Sequence, residues 1–152
     1  MRLRSGANST KIWTEEKIMT FKPILCLDFD GVIHSYSSGW KGADVIPDPP
    51  VLGAFQFIHA ASKFFRICIY SSRSAYPHAI TAMREWFGLW SVDPEFGFSH
   101  DMELSGFFEC LEFPDQKPSA FMTIDDRALT FTGNWADFDP QSLLEFKPWN
   151  KK

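Results

Sequence analysis

The sequence predicts an α/β protein, a three-layer α/β/α arrangement around a central parallel sheet. Three observations lead to that class. Short apolar runs rich in β-formers alternate with longer stretches whose apolar residues recur at helical spacing. Strand, helix, strand, helix, strand is the grammar of a parallel sheet covered on both faces. The apolar runs also end alike, in acids or hydroxyls: Asp28 and Asp30, then Ser71 and Ser72, then Asp125 and Asp126. Ligands in such sheets bind beyond the carboxyl ends of the strands, so segments far apart in the chain would deliver these groups to one rim.

Residues 1–20 are polar and aperiodic and are expected to form a flexible leader. Met19 stands just before the first convincing strand and is a second candidate for the translation start. Residues 21–152 are expected to form one domain, because a chain of 152 residues can bury one proper core and not two. Ile24–Asp30 (ILCLDFD), followed by Gly31, reads as a buried strand that stops at a functional edge. From His34 to Pro50 the chain is rich in Ser, Gly, Pro and Trp and reads as a long loop or hairpin; Pro49 and Pro50 then sit where a helix can start. Val51–Lys63 places Val51, Leu52, Phe55 and Ile58 on one helical face. Phe64–Tyr70 (FFRICIY) is a second strand, and Pro77–Leu89 a second helix with Ile80, Met83 and Phe87 in phase. Ser91–Gln116 mixes Gly, Pro and aromatics and allows only short strands near Phe107–Phe113. Phe121–Ile124 (FMTI) is a short strand running into Asp125-Asp126, Ala128–Thr132 reads as one more, and Ser142–Phe146 as a short helical turn.

Composition narrows the function classes. Hydrophobic residues make up 45% and aromatics 16%, which is a globular balance. No apolar run approaches the roughly 18 residues a membrane span needs, and the basic start Met1-Arg-Leu-Arg has no apolar stretch behind it, so a cytoplasmic protein is expected. The net charge of −4 argues against a protein that holds nucleic acid by backbone charge, although a local basic patch stays compatible with it. Cys26, Cys68 and Cys110 show no metal-type spacing; Cys26 and Cys68 lie in strand-like runs and are expected to be buried and unbridged.

The acids carry the chemistry. One carboxylate of the Asp28/Asp30 pair can attack phosphorus while the second moves protons to and from the leaving oxygen. Gly31 lets the backbone approach a ligand closely. Asp-x-Asp-Gly also occurs as a solvated pair of acids and in calcium loops, whose remaining spacing is missing here. Asp125 and Asp126, brought near Asp28, would repel one another unless a hard cation such as Mg²⁺ joined them. Ser71 could bind a phosphoryl oxygen through its hydroxyl or could simply cap a helix. Lys117 could supply positive charge to a transferring phosphoryl group or could be an ordinary solvated lysine.

These motifs resemble those of the haloacid dehalogenase superfamily. LDFDGV is similar to its first motif, IYSS to its second, and KPSAFMTIDD to its third and fourth, in family order from Ile24 to Arg127. The resemblance implies a Rossmann-like fold and a Mg²⁺-dependent phosphohydrolase. Asp28 would form an aspartyl-phosphate. Asp30 would be general acid and then base, with its backbone carbonyl on the metal. Ser71 would bind the phosphoryl group, and Lys117 would hold both nucleophile and phosphate. Asp125 would ligate Mg²⁺ with Asp126 assisting, so the expected metal set is Asp28, Asp30, Asp125 and Asp126. Mg²⁺ and Lys117 together would lower the pKa of Asp28.

The departure from many members is size. Only residues 31–50 separate Asp30 from the first helix, which fits a short flap and no cap domain. An open site suits a bulky phosphorylated substrate, a nucleic-acid end among them. His34, Tyr36, Trp40 and Lys41 lie in the flap and could meet a leaving group; ordinary loop or packing roles compete with that. Arg73 and Arg127 flank the motifs and either could reach an anion, although surface ion pairs are the expectation for both. A phosphomonoesterase is favoured over a binding module that only recognises phosphate, since all the catalytic positions are filled. It is also favoured over another transfer reaction on the same scaffold, since dehalogenation would not need the second acid.

Overall fold

In a computed structural model of the chain, residues 21–99 and 106–151 are described. The leader expected over residues 1–20 lies outside them, as do residues 100–105 of the segment that resisted assignment from sequence. The backbone forms a four-stranded, all-parallel sheet with two α-helices. In chain order the elements are β1 (Ile24–Leu27), α1 (Ala54–Ser62), β2 (Arg66–Ile69), α2 (Pro77–Ser91), β3 (Leu111–Glu112) and β4 (Met122–Ile124). The strands lie in the order β3-β2-β1-β4.

Register decides which residues share a face. Leu25 pairs with Ile67 and Met122, and Leu27 with Ile69 and Ile124. Partners directly opposite in a parallel ladder point the same way. Leu25, Leu27, Ile67 and Ile69 join one apolar cluster with Phe55 and Ile58 of α1 and Met83, Trp86 and Phe87 of α2. The Phe55 ring packs against both Trp86 and Phe87, so the two helices meet over this face. Right-handed crossovers explain why: β1, β2 and β3 follow one another in a single direction, which puts both connecting helices on one side. Cys26 and Cys68 pair with each other in register on the opposite face, where both are buried and free.

The next connection reverses direction. Residues 113–121 carry the chain from β3 back past β2 and β1 to β4 and contain no helix. β1 and β4 are therefore the neighbours at which the order of the connections reverses, the place where open parallel sheets form a crevice. Asp28 and Asp125 stand immediately past their carboxyl ends.

Several boundaries moved for local reasons. The second strand starts at Arg66 because the Phe64 and Phe65 N–H groups both donate back to the Ala61 carbonyl and close α1. The first helix starts after Gly53, not at Val51. Pro50 bridges His34, the Val51 N–H donates to Ile33 O at 2.7 Å, and Gly53 at φ 85° lies outside helical geometry. The strand expected at Ala128–Thr132 does not form. There the chain leaves β4 through a turn in which Asp125 Oδ1 accepts from Arg127 N, and Phe131 stacks locally on Trp135 and Phe138. The short turn expected at Ser142–Phe146 is present as a 3-10 segment, Ser142–Glu145. The tail then returns to the flap, where Trp149 Nε1 donates to Gly31 O at 2.7 Å. Among the described residues no helix is long and apolar enough to cross a membrane.

Candidate active site

The β1–β4 ladder runs into the site: Asp28 N donates to Ile124 O at 2.9 Å. That bond fixes Asp28 beside the turn carrying Asp125 and Asp126. One carboxylate oxygen from each of the three lies within 4.8 Å of the others. The Asp126 side chain is only 2% exposed, and neither of its oxygens has a hydrogen-bond partner among the described residues. Its nearest cationic atom, Arg127 Nε at 3.9 Å, is an electrostatic neighbour beyond hydrogen-bond reach. Gly31 makes room for this acid. It adopts φ 86°, and a Cβ there would stand 2.5 Å from Asp126 Oδ2.

Burial pushes the Asp28 carboxyl up to about 7, and the charges of Asp125, Asp126 and Asp30 push the same way against one backbone hydrogen bond at Phe29. Burial likewise raises Asp126. The protein groups by themselves thus act opposite to the lowering expected from Mg²⁺ and Lys117, because burial dominates and the neighbouring acids add to it. A buried, unpartnered carboxylate among carboxylates is an unsatisfied charge. The donor set, all hard oxygens, fits a small divalent cation such as Mg²⁺.

Asp30 is placed differently. Its carboxylate is held by Arg73, whose Nε lies 2.9 Å from Oδ2 and 3.1 Å from Oδ1, and by His34, whose Nδ1 lies 2.8 Å from Oδ1. The side chain is therefore committed to nitrogen donors and stands outside the three-carboxylate cluster. Arg73 and His34 are both 0% exposed, so neither is the surface ion pair or ordinary loop residue that sequence reasoning expected. The pairing follows from strand register and not from a sequence pattern. Leu27 and Ile69 are register partners, so Asp30 and Arg73 sit at similar distances past neighbouring strands.

A cavity of about 310 Å³ brings together Asp28, Asp30, Tyr36, Ser71, Ser72, Asp125 and Arg127. Ser71 fills both roles weighed for it. It caps the 3-10 turn Ser72–Ala75 by accepting from Arg73 N at 3.1 Å, and its hydroxyl proton stays available to an acceptor in the cavity. Arg127 rims the cavity as a half-exposed cation. Lys117 is exposed and is not among the lining residues; its charge is felt at Cys26, on the sheet face away from the two helices. A larger cavity of about 480 Å³ lies near Lys22, His59, Arg66 and Glu112 and contains none of the clustered acids.

The chain was compared with protein-family models, with curated proteins and with solved structures, and no match was found in any of the three. The functional reading therefore rests on the residues and their geometry.

Proposed function

We propose that this protein is a divalent-cation-dependent phosphohydrolase, a phosphomonoesterase that works through an aspartyl-phosphate on Asp28. The observation that carries the reading is the Asp28–Asp125–Asp126 cluster at the β1/β4 crevice, with the separately held Asp30 opening on the same cavity. The resemblance of its motifs to the haloacid dehalogenase superfamily supports it. On this reading the fold is a pared-down, capless relative of the Rossmann-like three-layer type, with the residue 113–121 crossover in place of a second helical layer.

Asp28, Asp125 and Asp126 would hold Mg²⁺, which supplies charge neutralisation between the attacking carboxylate and an incoming phosphate dianion. The Asp30 carbonyl, as the resemblance implies, would complete the protein's share. Asp28 then attacks phosphorus, the bond from phosphorus to the leaving oxygen breaks, and Asp30 gives that oxygen a proton. In the second half, Asp30 takes a proton from water as the water attacks the phosphoryl group, and the Asp28 carboxylate is released. The Ser71 hydroxyl donates to a phosphoryl oxygen throughout. Arg127 is the cation placed to neutralise the phosphate, a part the family pattern would give to Lys117.

With only the short 31–50 flap and no cap domain on this reading, the substrate itself must help exclude water; a bulky phosphoester, such as a nucleic-acid end, meets that need better than a small metabolite. Two buried free thiols suit a reducing, cytoplasmic setting.

Turnover of an aryl phosphate should require Mg²⁺ and stop with chelator. Asp28→Asn should abolish it. Asp30→Asn, mixed with a substrate of low leaving-group pKa, should accumulate one phosphoryl group on Asp28, visible by intact mass. Wild-type multiple turnover in Asp28→Asn would overturn covalent catalysis. Mg²⁺-dependent binding of a phosphoester without any turnover would leave a phosphate-recognition module instead.

A further inference from the structure

The group best held in this site is one that sequence reasoning expected at the surface. Arg73 is fully buried and spans two structures. One side of its guanidinium, Nε, is shared between both oxygens of Asp30 at 2.9 and 3.1 Å. The other, Nη1, donates to the flap carbonyls of Gly42, Ala43 and Val45 at 2.8, 2.7 and 3.3 Å. The Trp40 ring lies 4.7 Å from the guanidinium carbon and closes that side of the flap. His34 donates from Nδ1 to Asp30 Oδ1, while its Nε2 accepts from Asp48 N at 3.3 Å, which fixes the ring as the Nδ1–H tautomer.

We propose that Arg73 is a positioning residue: it ties the flap to Asp30 and aims Asp30 Oδ2 at the leaving oxygen of the substrate. This deepens the phosphohydrolase reading and rests on it. The oxygens of Asp30 are not equivalent. Oδ1 takes N–H donors from both His34 and Arg73, whereas Oδ2 takes only the Arg73 Nε. Oδ2 keeps the free lone pair and is the oxygen that carries the proton. When it delivers that proton to the leaving alkoxide, the O–H bond of Asp30 breaks and that of the alcohol forms. The carboxylate left behind is stabilised in place by Arg73.

The test uses two substrates in the full chain with Mg²⁺: an alkyl phosphate, whose leaving group needs a proton, and 2,4-dinitrophenyl phosphate, whose leaving group does not. Arg73→Ala and Arg73→Lys are expected to lose about 100-fold or more in kcat on the alkyl phosphate and under about 10-fold on the activated one, the range general acid catalysis supplies. Added guanidinium at millimolar levels should restore part of the Arg73→Ala loss on the alkyl substrate alone. If these variants do not fold, Trp40→Leu decides, because Trp40 is half exposed and its removal only loosens the guanidinium. It should lose about 3- to 5-fold selectively on the alkyl phosphate. Equal losses on both substrates in the folded variants, or no loss in Trp40→Leu, would overturn the proposal while leaving the hydrolase reading intact. A wild-type protein that turns over neither substrate would overturn the hydrolase reading and this inference together.

Discussion

Raising the pH of the cation-free protein should cost it stability at Asp28, and Mg²⁺ should return that stability. The Asp28 carboxyl stands at about 7 in the fold, against 3.8 ordinarily. Below both values the carboxyl is protonated in either state and contributes nothing. Between them the unfolded chain gives up its proton while the fold retains it, so the unfolded state binds fewer protons and stability falls as pH rises. At 1.36 kcal/mol per pH interval of ten in proton activity, the loss sums to at most about 4 kcal/mol near neutral pH and is flat above. Asp126, raised by burial, adds in the same direction. Asp48 is the opposing group. Burial raises it, but hydrogen bonds from Ser38 and Ser37 outweigh this and leave it lowered, so its contribution is lost toward acid.

Comparing wild type with Asp28→Asn isolates the term. The variant should match wild type near pH 4 and exceed it near pH 8 by up to about 10 °C in Tm, at roughly 3 °C per kcal/mol for a chain of this size. Mg²⁺ at about ten times its Kd should add about 1.4 kcal/mol to wild type near pH 8, far less near pH 5, and little to Asp28→Asn. Thermal melts across pH, with and without Mg²⁺, read all of this. Coincident wild-type and Asp28→Asn profiles, or a variant less stable near pH 8, would refute the account of a strained, cation-seeking cluster.

Gly31→Ala should lose about 1–3 kcal/mol from its left-handed backbone alone and should also lose the Mg²⁺ response, since the new methyl meets the Asp126 carboxylate; an intact Mg²⁺ shift in thermal melts would show that Asp126 can yield. Arg127→Ala should raise KM for an aryl phosphate by about 10-fold, the worth of one charged contact, whereas Lys117→Ala should change it little; the reverse ranking would restore Lys117 as the phosphate's partner. Thiol labelling of the native protein should modify the exposed Cys110 first, because Cys26 and Cys68 are buried and burial raises both thiols, Cys68 to about 11; labelling of either strand cysteine at the rate of Cys110 would contradict the sheet register.

The sequence by itself determined the parallel sheet and the convergence of Asp28, Ser71 and Asp125 on one rim. Those are consequences of local pattern: a strand buried on both faces must be apolar, as ILCL and the Ile67–Ile69 stretch of RICI are, and the polar residue that follows marks where burial ends. Burial of Cys26 and Cys68 followed from the same pattern. Ala128–Thr132 has equally good strand composition, yet composition does not supply a partner, and here the turn at Asp125 and the stacking of Phe131 lead the backbone elsewhere. Only the tertiary structure decided the partners of Asp30. Arg73 and His34 carry no apolar period and lie in irregular segments. Their pairing with Asp30 exists because β1 and β2 are register neighbours and because the flap folds back through the His34–Pro50 bridge. Lys117 keeps its place in the motif order, yet it is exposed and does not line the cavity that holds Asp28. Motif order is a property of the chain, whereas the distance from a charge to a phosphate is set by the path of the backbone between elements.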